Sequence, residues 1–226
     1  MQSSRLIRDT IVGGTKEWQS PLKCATPLPF PAIDYTVKSA LSNPRISFDD
    51  LTAITLATVA FLTCALAAEV TMPITVRYRD ATKFLHRDEV VLGLGTFRIH
   101  LRTSKTDRGW AGGWLRGHSD FANLAWITLF RWYLAERDQH FPTSPFLFLR
   151  QSGLVPTRMW FVSELRRLFG PAYTGHSLRS GRATYFTTVK RWPPDIIKCH
   201  GRWSSDAWEA YVRVSPDIAT ALTLAA

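Results

Sequence analysis

Between Leu51 and Ala68 the chain reads LTAITLATVAFLTCALAA, 18 residues without a charge. A run of that length either crosses a bilayer or threads the centre of a folded core, where every face of the helix is covered. Composition and flanks separate the two outcomes. Four threonines and six alanines make the stretch weakly apolar, its ends lack aromatic anchors, and Asp49, Asp50 and Glu69 stand where a span would carry basic residues on one side. A buried core helix is the better account, and a membrane anchor is the alternative. Ser47 is placed to cap this helix, with Asp49 and Asp50 in its first turn.

A chain of 226 residues can close one sizeable core around such a helix. Residues 1–45 are rich in Pro, Ser and Gly, and KCATPLPFPAIDY reads as an extended connector, because each proline biases its predecessor away from helix. We therefore divide the chain into a linker or remnant over 1–45 and one domain over 46–226. Beyond the central run, Phe97, Ile99 and Leu101 alternate with Arg98, His100 and Arg102, which predicts a half-buried strand with a basic outer face. Further strands are expected within Thr75 to Arg79 and Gly109 to Trp114. Helical spacing of Phe121, Leu124, Ile127, Phe130 and Leu134 predicts a core-facing helix over Ser119 to Arg137. Two more follow at Thr157 to Phe169 and Ser177 to Val189, and Trp192-Pro193-Pro194 breaks the chain before another. The fold class is α+β, mainly α, with a small antiparallel sheet.

Lys and Arg number 28 against 18 Asp and Glu, a net charge of +10 that favours a polyanionic partner. The three cysteines, Cys24, Cys64 and Cys199, lack short pairwise spacing, which argues against a disulfide scaffold and a structural zinc site and for a reducing interior. Cys199-His200 has no second ligand pair, and Gly93-Leu-Gly95 is too short for a phosphate loop. His200 is read as structural or facing DNA. Neither a metal nor a cofactor is called for, and MQSSRLIRDTIVGGTKEW has no apolar core of the kind a secretory signal carries.

The chemistry concentrates between Thr174 and Val214. His176 and Arg179 stand i, i+3 on one helical face, so an imidazole and a guanidinium fork can converge on a phosphodiester while the phenol of Tyr211 approaches from elsewhere. The blocks HSLRSG from His176 and GRWSSDA from Gly201, followed by Tyr211, resemble the catalytic domain of tyrosine recombinases, closest to those of DIRS-like and Crypton-type mobile elements. The resemblance implies a helical core with a small antiparallel sheet, and a Tyr211 phenolate that attacks DNA to form a 3′-phosphotyrosyl link with no ATP or metal. It implies that Arg179 and His176 neutralise the phosphoryl oxygens, and that Trp203 donates its indole N–H where many relatives carry a histidine. Lys105, in an S-K-T-D turn after the basic strand, matches the family's hairpin lysine, the general acid for the leaving 5′-oxygen. Arg202 and Arg102, with Lys105, are read as DNA contacts. The implied partner is double-stranded DNA held by a tetramer, with the tail from Ser215 to Ala226 docking on a neighbour, and a nuclear setting follows if the source is a eukaryotic mobile element.

Two departures from the family pattern stand out. Its first motif, G-L-R-x-x-E, keeps the acid as Glu69 but holds Leu66 at the arginine position. Losing one preorganised donor to a transition-state oxyanion costs about 2.7–4 kcal/mol, or about 10²–10³ in rate. Arg77 and Arg79, placed in a predicted strand beyond the helix, are poor substitutes. The roughly 45 residues ahead of the domain are also too short for the helical clamp that relatives close around DNA; either that clamp lies outside this chain or it has been lost, and in both cases this chain is expected to neutralise fewer phosphates. An inactive DNA-binding relative derived from a mobile element is therefore the alternative to an active recombinase.

Overall fold

The computed structural model describes residues 25–102, 112–118 and 124–212. Helix α1 (Phe30–Leu41) starts the described core. The extended connector expected through KCATPLPFPAIDY ends at Pro29, and Pro31 lies in the first turn of α1. Proline is well suited to that place, because a first-turn N–H has no partner inside the helix and the ring presets φ. Ile33, Val37 and Ala40 are buried at the spacing of one helical face. Phe30 stacks between Trp126, 5.3 Å away, and Tyr185, 4.5 Å away. Just upstream, the Leu28 amide donates to the Ser177 carbonyl at 2.9 Å. A Cβ on Gly181 would stand 2.1 Å from the Leu28 carbonyl oxygen, so only glycine lets the two backbones approach this closely.

Helix α2 (Phe48–Leu62) begins where expected, with Ser47 Oγ accepting from the Asp50 amide at 3.1 Å and Asp49 and Asp50 in the first turn. All residues from Leu51 to Leu62 are buried, which places this helix at the centre of the main core. Most of its threonines bond to their own helix, although Thr55 Oγ1 has no partner among the described residues. Thr58 Oγ1 donates to the Ile54 carbonyl at 2.7 Å and Thr63 Oγ1 to Val59 at 2.8 Å, while Thr52 shares its proton between Phe48 and Leu149. The expected run to Ala68 is interrupted. Cys64 adopts a left-handed φ of 51°, and a separate turn, α3 (Ala67–Val70), follows. Among the described residues, no helix is long and apolar enough to cross a membrane.

Strands β1 (Val90–Leu92), β2 (Thr96–Leu101) and β3 (Gly113–His118) form an antiparallel meander in that order. Phe97, Ile99 and Leu101 point into the core as the alternation required, and Phe97 meets Phe130 edge-on at 4.9 Å. Two strand expectations shift. The segment expected as a strand between Thr75 and Arg79 is a 3-10 turn over Val76–Tyr78, because the Arg79 guanidinium folds back onto the carbonyls of Pro73 (3.1 Å) and Ile74 (3.0 Å). The third strand, expected over Gly109 to Trp114, is observed over Gly113–His118 after Gly112 at φ 70°, and residues 109–111 lie outside the described set.

Helix α4 (Ala125–His140) covers the helix expected over Ser119 to Arg137, of which residues 119–123 lie outside the described set. Helix α5 (Arg158–Phe169) is capped by Thr157, whose Oγ1 accepts from the Trp160 amide at 3.1 Å. Helices α6 (Gly175–Thr188) and α7 (Pro194–Gly201) and a 3-10 turn (Asp206–Tyr211) complete the described chain. Their inner faces enclose a second, smaller apolar cluster of Cys64, Phe186, Ile197 and Trp208. The mainly helical α+β class with one small antiparallel sheet is the observed architecture.

Candidate active site

Helix α6 places the site because its buried face is polar. Ser177, Arg179, Ser180 and Arg182 are all buried, while His176, in the first turn, is exposed. Gly175 permits this start, since a Cβ there would lie 2.5 Å from Cβ of Ala67, so α6 begins directly against α3. One turn on, Arg179 is only 6% exposed. Its guanidinium donates to the carbonyl of Cys64 through Nη1 and to that of Gly201 through Nη2, the latter at 2.8 Å. Both carbonyls lie at the C-terminal ends of helices, α2 and α7, where they have no intrahelical donor and carry the negative end of the macrodipole. Burial lowers the affinity of Arg179 for its proton, and the neighbouring Arg202 cation adds to that effect. The group nonetheless stays charged, because guanidinium loses a proton only far above neutral pH.

The chain then folds over this cation. Arg202 takes φ 58°, ψ 41°, reversing direction at the end of α7 so that Trp203 lies against it. A Cβ on Gly201 would stand 1.6 Å from the Trp203 ring, so glycine is what allows the indole to pack there. The Arg179 guanidinium carbon sits 4.1 Å from the Trp203 ring centroid and 5.4 Å from that of Tyr211. Trp203 and Tyr211 rings are 5.6 Å apart, and those of His176 and Tyr211 6.3 Å. Ser180 Oγ donates to the Tyr211 main-chain carbonyl, which ties the 3-10 turn to α6. His176, Arg179, Trp203 and Tyr211, distant in sequence, thus share one cluster. Arg179 Nε and Trp203 Nε1 are buried and have no hydrogen-bond partner among the described residues. Such donors cost about 1–3 kcal/mol each until an acceptor reaches them.

The remaining expected residues fall elsewhere. Lys105 lies outside the described residues, as does the tail from Ser215. Arg102 leaves β2 to bond Glu89 through Nε at 2.7 Å, with His100 Nδ1 3.3 Å from the same carboxylate oxygen. Arg202 donates to Glu69 Oε2 at 2.7 Å and to the Thr63 carbonyl at 3.2 Å. Glu69 also accepts from the Leu66 amide at 2.8 Å, so the acid of the first motif is engaged although its arginine is absent. Arg77 and Arg79 turn away, Arg77 lying 5.7 Å from the Tyr78 ring centroid and Arg79 closing its own loop. His200 has the structural role: its Nε2–H donates to the Leu62 carbonyl at 2.8 Å, its ring meets Phe186 edge-on at 4.9 Å, and burial pushes its pKa down to about 4. Among the described residues no cluster of His, Cys, Asp or Glu could hold a metal ion. Sequence reasoning passed over Ser180 and Gly201. Both lie inside the matched blocks, but their tasks depend on chain segments that only the fold brings together.

No protein-family model and no curated protein matches the chain. Solved structures do. The XerH site-specific recombinase, bound to a palindromic difH substrate after cleavage, superposes with a TM-score of 0.64 over 90% of this chain at 16% identity. The XerA recombinase gives 0.65 over 91% at 14%. The fold is that of a tyrosine recombinase catalytic domain. The Tn1549 transposon integrase, in complex with circular intermediate DNA, shares it at a TM-score of 0.54 over 91% of this chain and 14% identity. The chain spans 53% of the XerH chain and 66% of the XerA and Tn1549 integrase chains.

Proposed function

We propose that this chain is a DNA strand-breaking and rejoining domain, a recombinase or integrase with Tyr211 as its nucleophile. The observation that carries the reading is the assembly of His176, Trp203 and Tyr211 around the buried guanidinium of Arg179. A cation held by two helix-end carbonyls, with no carboxylate bonded to it among the described residues, keeps its charge available to an anion. In the proposed step, the deprotonated Tyr211 Oη attacks phosphorus as the phenolate, the 3′-phosphotyrosyl ester forms, and the bond to the 5′-oxygen breaks. Lys105 protonates that oxygen, and Arg179 and His176 offset charge on the nonbridging oxygens. Attack by the freed 5′-hydroxyl or another strand's end reverses the step, which conserves the bond energy.

The fold and the excess of basic residues both support double-stranded DNA as the partner, and assembly as a tetramer on paired sites extends the same reading. Likeness to DIRS-like and Crypton-type elements rests on the two sequence blocks. The second reading, an inactive DNA-binding relative, is favoured by one observation, Leu66 at the first arginine position.

A library of nicked suicide duplexes with randomised sequence tests the proposal, because a nick beside the scissile phosphate lets the cleaved fragment escape and traps the adduct. The expected product is a detergent-stable protein–DNA adduct that is lost in Tyr211→Phe. Absence of adduct across the library favours the inactive relative, and adduct that persists in Tyr211→Phe removes Tyr211 from the role.

A further inference from the structure

The turn that ends α2 presents two successive carbonyls, and each holds a different arginine. Arg202 Nη1 donates to Thr63 at 3.2 Å, and Arg179 Nη1 donates to Cys64. The guanidiniums are thereby pinned side by side. Among the described residues a single carboxylate, Glu69, bonds the pair through Arg202 at 2.7 Å. The Cys64 thiol beside them is pushed up to about 11 by burial, so at neutral pH it adds no negative charge. Two cations and one carboxylate leave a net positive charge next to the unpartnered N–H groups of Arg179 and Trp203.

Arg202 is also the wrong residue for its backbone if its task is only to end a helix. Its φ of 58° and ψ of 41° belong to the left-handed region, which glycine fills without strain and asparagine fills more readily than arginine. An arginine held there is best explained by where its side chain reaches, which is Glu69, bonded in turn to the Leu66 amide.

We propose that Arg202 supplies the second phosphate-binding guanidinium that Leu66 cannot, reaching the first-motif position from the far end of α7. The inference rests on the strand-exchange reading and deepens it. A phosphodiester monoanion seated between Arg179 and Arg202 would balance the net charge and accept from both forks.

Titration of the full chain, labelled at arginine side chains, with dimethyl phosphate followed by Nε–Hε magnetic resonance tests this directly. The signals of Arg179 and Arg202, assigned by their loss in Arg179→Lys and Arg202→Gly, are expected to shift together with one dissociation constant. Arg202→Gly suits the backbone and should weaken binding about tenfold or more, and adding Leu66→Arg to it should restore most of the loss. The pair Arg202→Gly with Glu69→Gln, which avoids stranding a carboxylate, should weaken it equally. If Arg179 responds while Arg202→Gly binds as tightly as the parent, Arg202 is a structural ion pair and the strand-exchange reading stands without it. If neither arginine responds, both fall.

Discussion

Helices α2 and α6 are neighbours of similar length that bury their faces in opposite ways. Along α2 nearly everything buried is apolar, and most of its threonine hydroxyls return to their own helix's carbonyls. Along α6 the buried face carries two arginines and two serines, and Arg179 spends its hydrogen bonds on the ends of other helices. One helix therefore stores stability, and the other spends part of it on holding a cation in place. Buried charge is a poor way to stabilise a fold and a good way to prepare a site for an anion.

The sharpest way to break this contrast is to damage the stabilising helix alone. Phe61 is fully buried, and Phe61→Ala should cost about 3–5 kcal/mol, lowering Tm on the order of 10 °C in a scan. A small change would mean that α2 is not the keystone of the core. Arg179→Lys attacks the other side, keeping the charge and discarding the fork. Adduct formation on the suicide duplexes should fall about 10²–10³-fold, equivalent to about 2.7–4 kcal/mol in the transition state. Equal adduct yields would place the phosphate elsewhere.

The effect that is smallest over any one pH unit concerns His200, which joins the two regions by donating to the last carbonyl of α2 from α7. Its pKa is depressed from 6.5 to about 4, chiefly by burial. The unfolded chain therefore binds the proton more readily, so stability is unaffected above pH 6.5 and declines as the pH falls from 6.5 towards 4. The slope is about 1.4 kcal/mol per pH unit. Denaturant titrations at several pH values should show His200→Gln losing this slope relative to the parent. Parallel curves would rule out His200 as a buried neutral group.

Features encoded locally were the legible ones. The Ser47 cap, the alternation in β2, and the helices beginning near Thr157 and Gly175 follow from residues within one or two turns. Prolines 29 and 31 read as extending the chain, yet a helix starts at Phe30, because a proline in the first turn also favours a helix start and Phe30 packs between Trp126 and Tyr185. Nothing adjacent to Cys64 marks it for a left-handed turn, so the long uncharged run read as one helix. At the site, His176, Arg179, Trp203 and Tyr211 could be named from two short blocks. The Arg202–Glu69 pair could not, because 133 residues separate its members.

The turn at Thr63 and Cys64 has a mechanical consequence. Its carbonyls hang from the end of the most deeply buried helix and carry Arg179 and Arg202 together, so the two cations share one mount. A rigid slide of α2 along its axis, or a rigid rotation about it, would carry both and preserve the gap between them, whereas a change in the backbone torsions between Thr63 and Cys64 would open it. The spacing of the charges is thus protected against one class of thermal motion and exposed to the other.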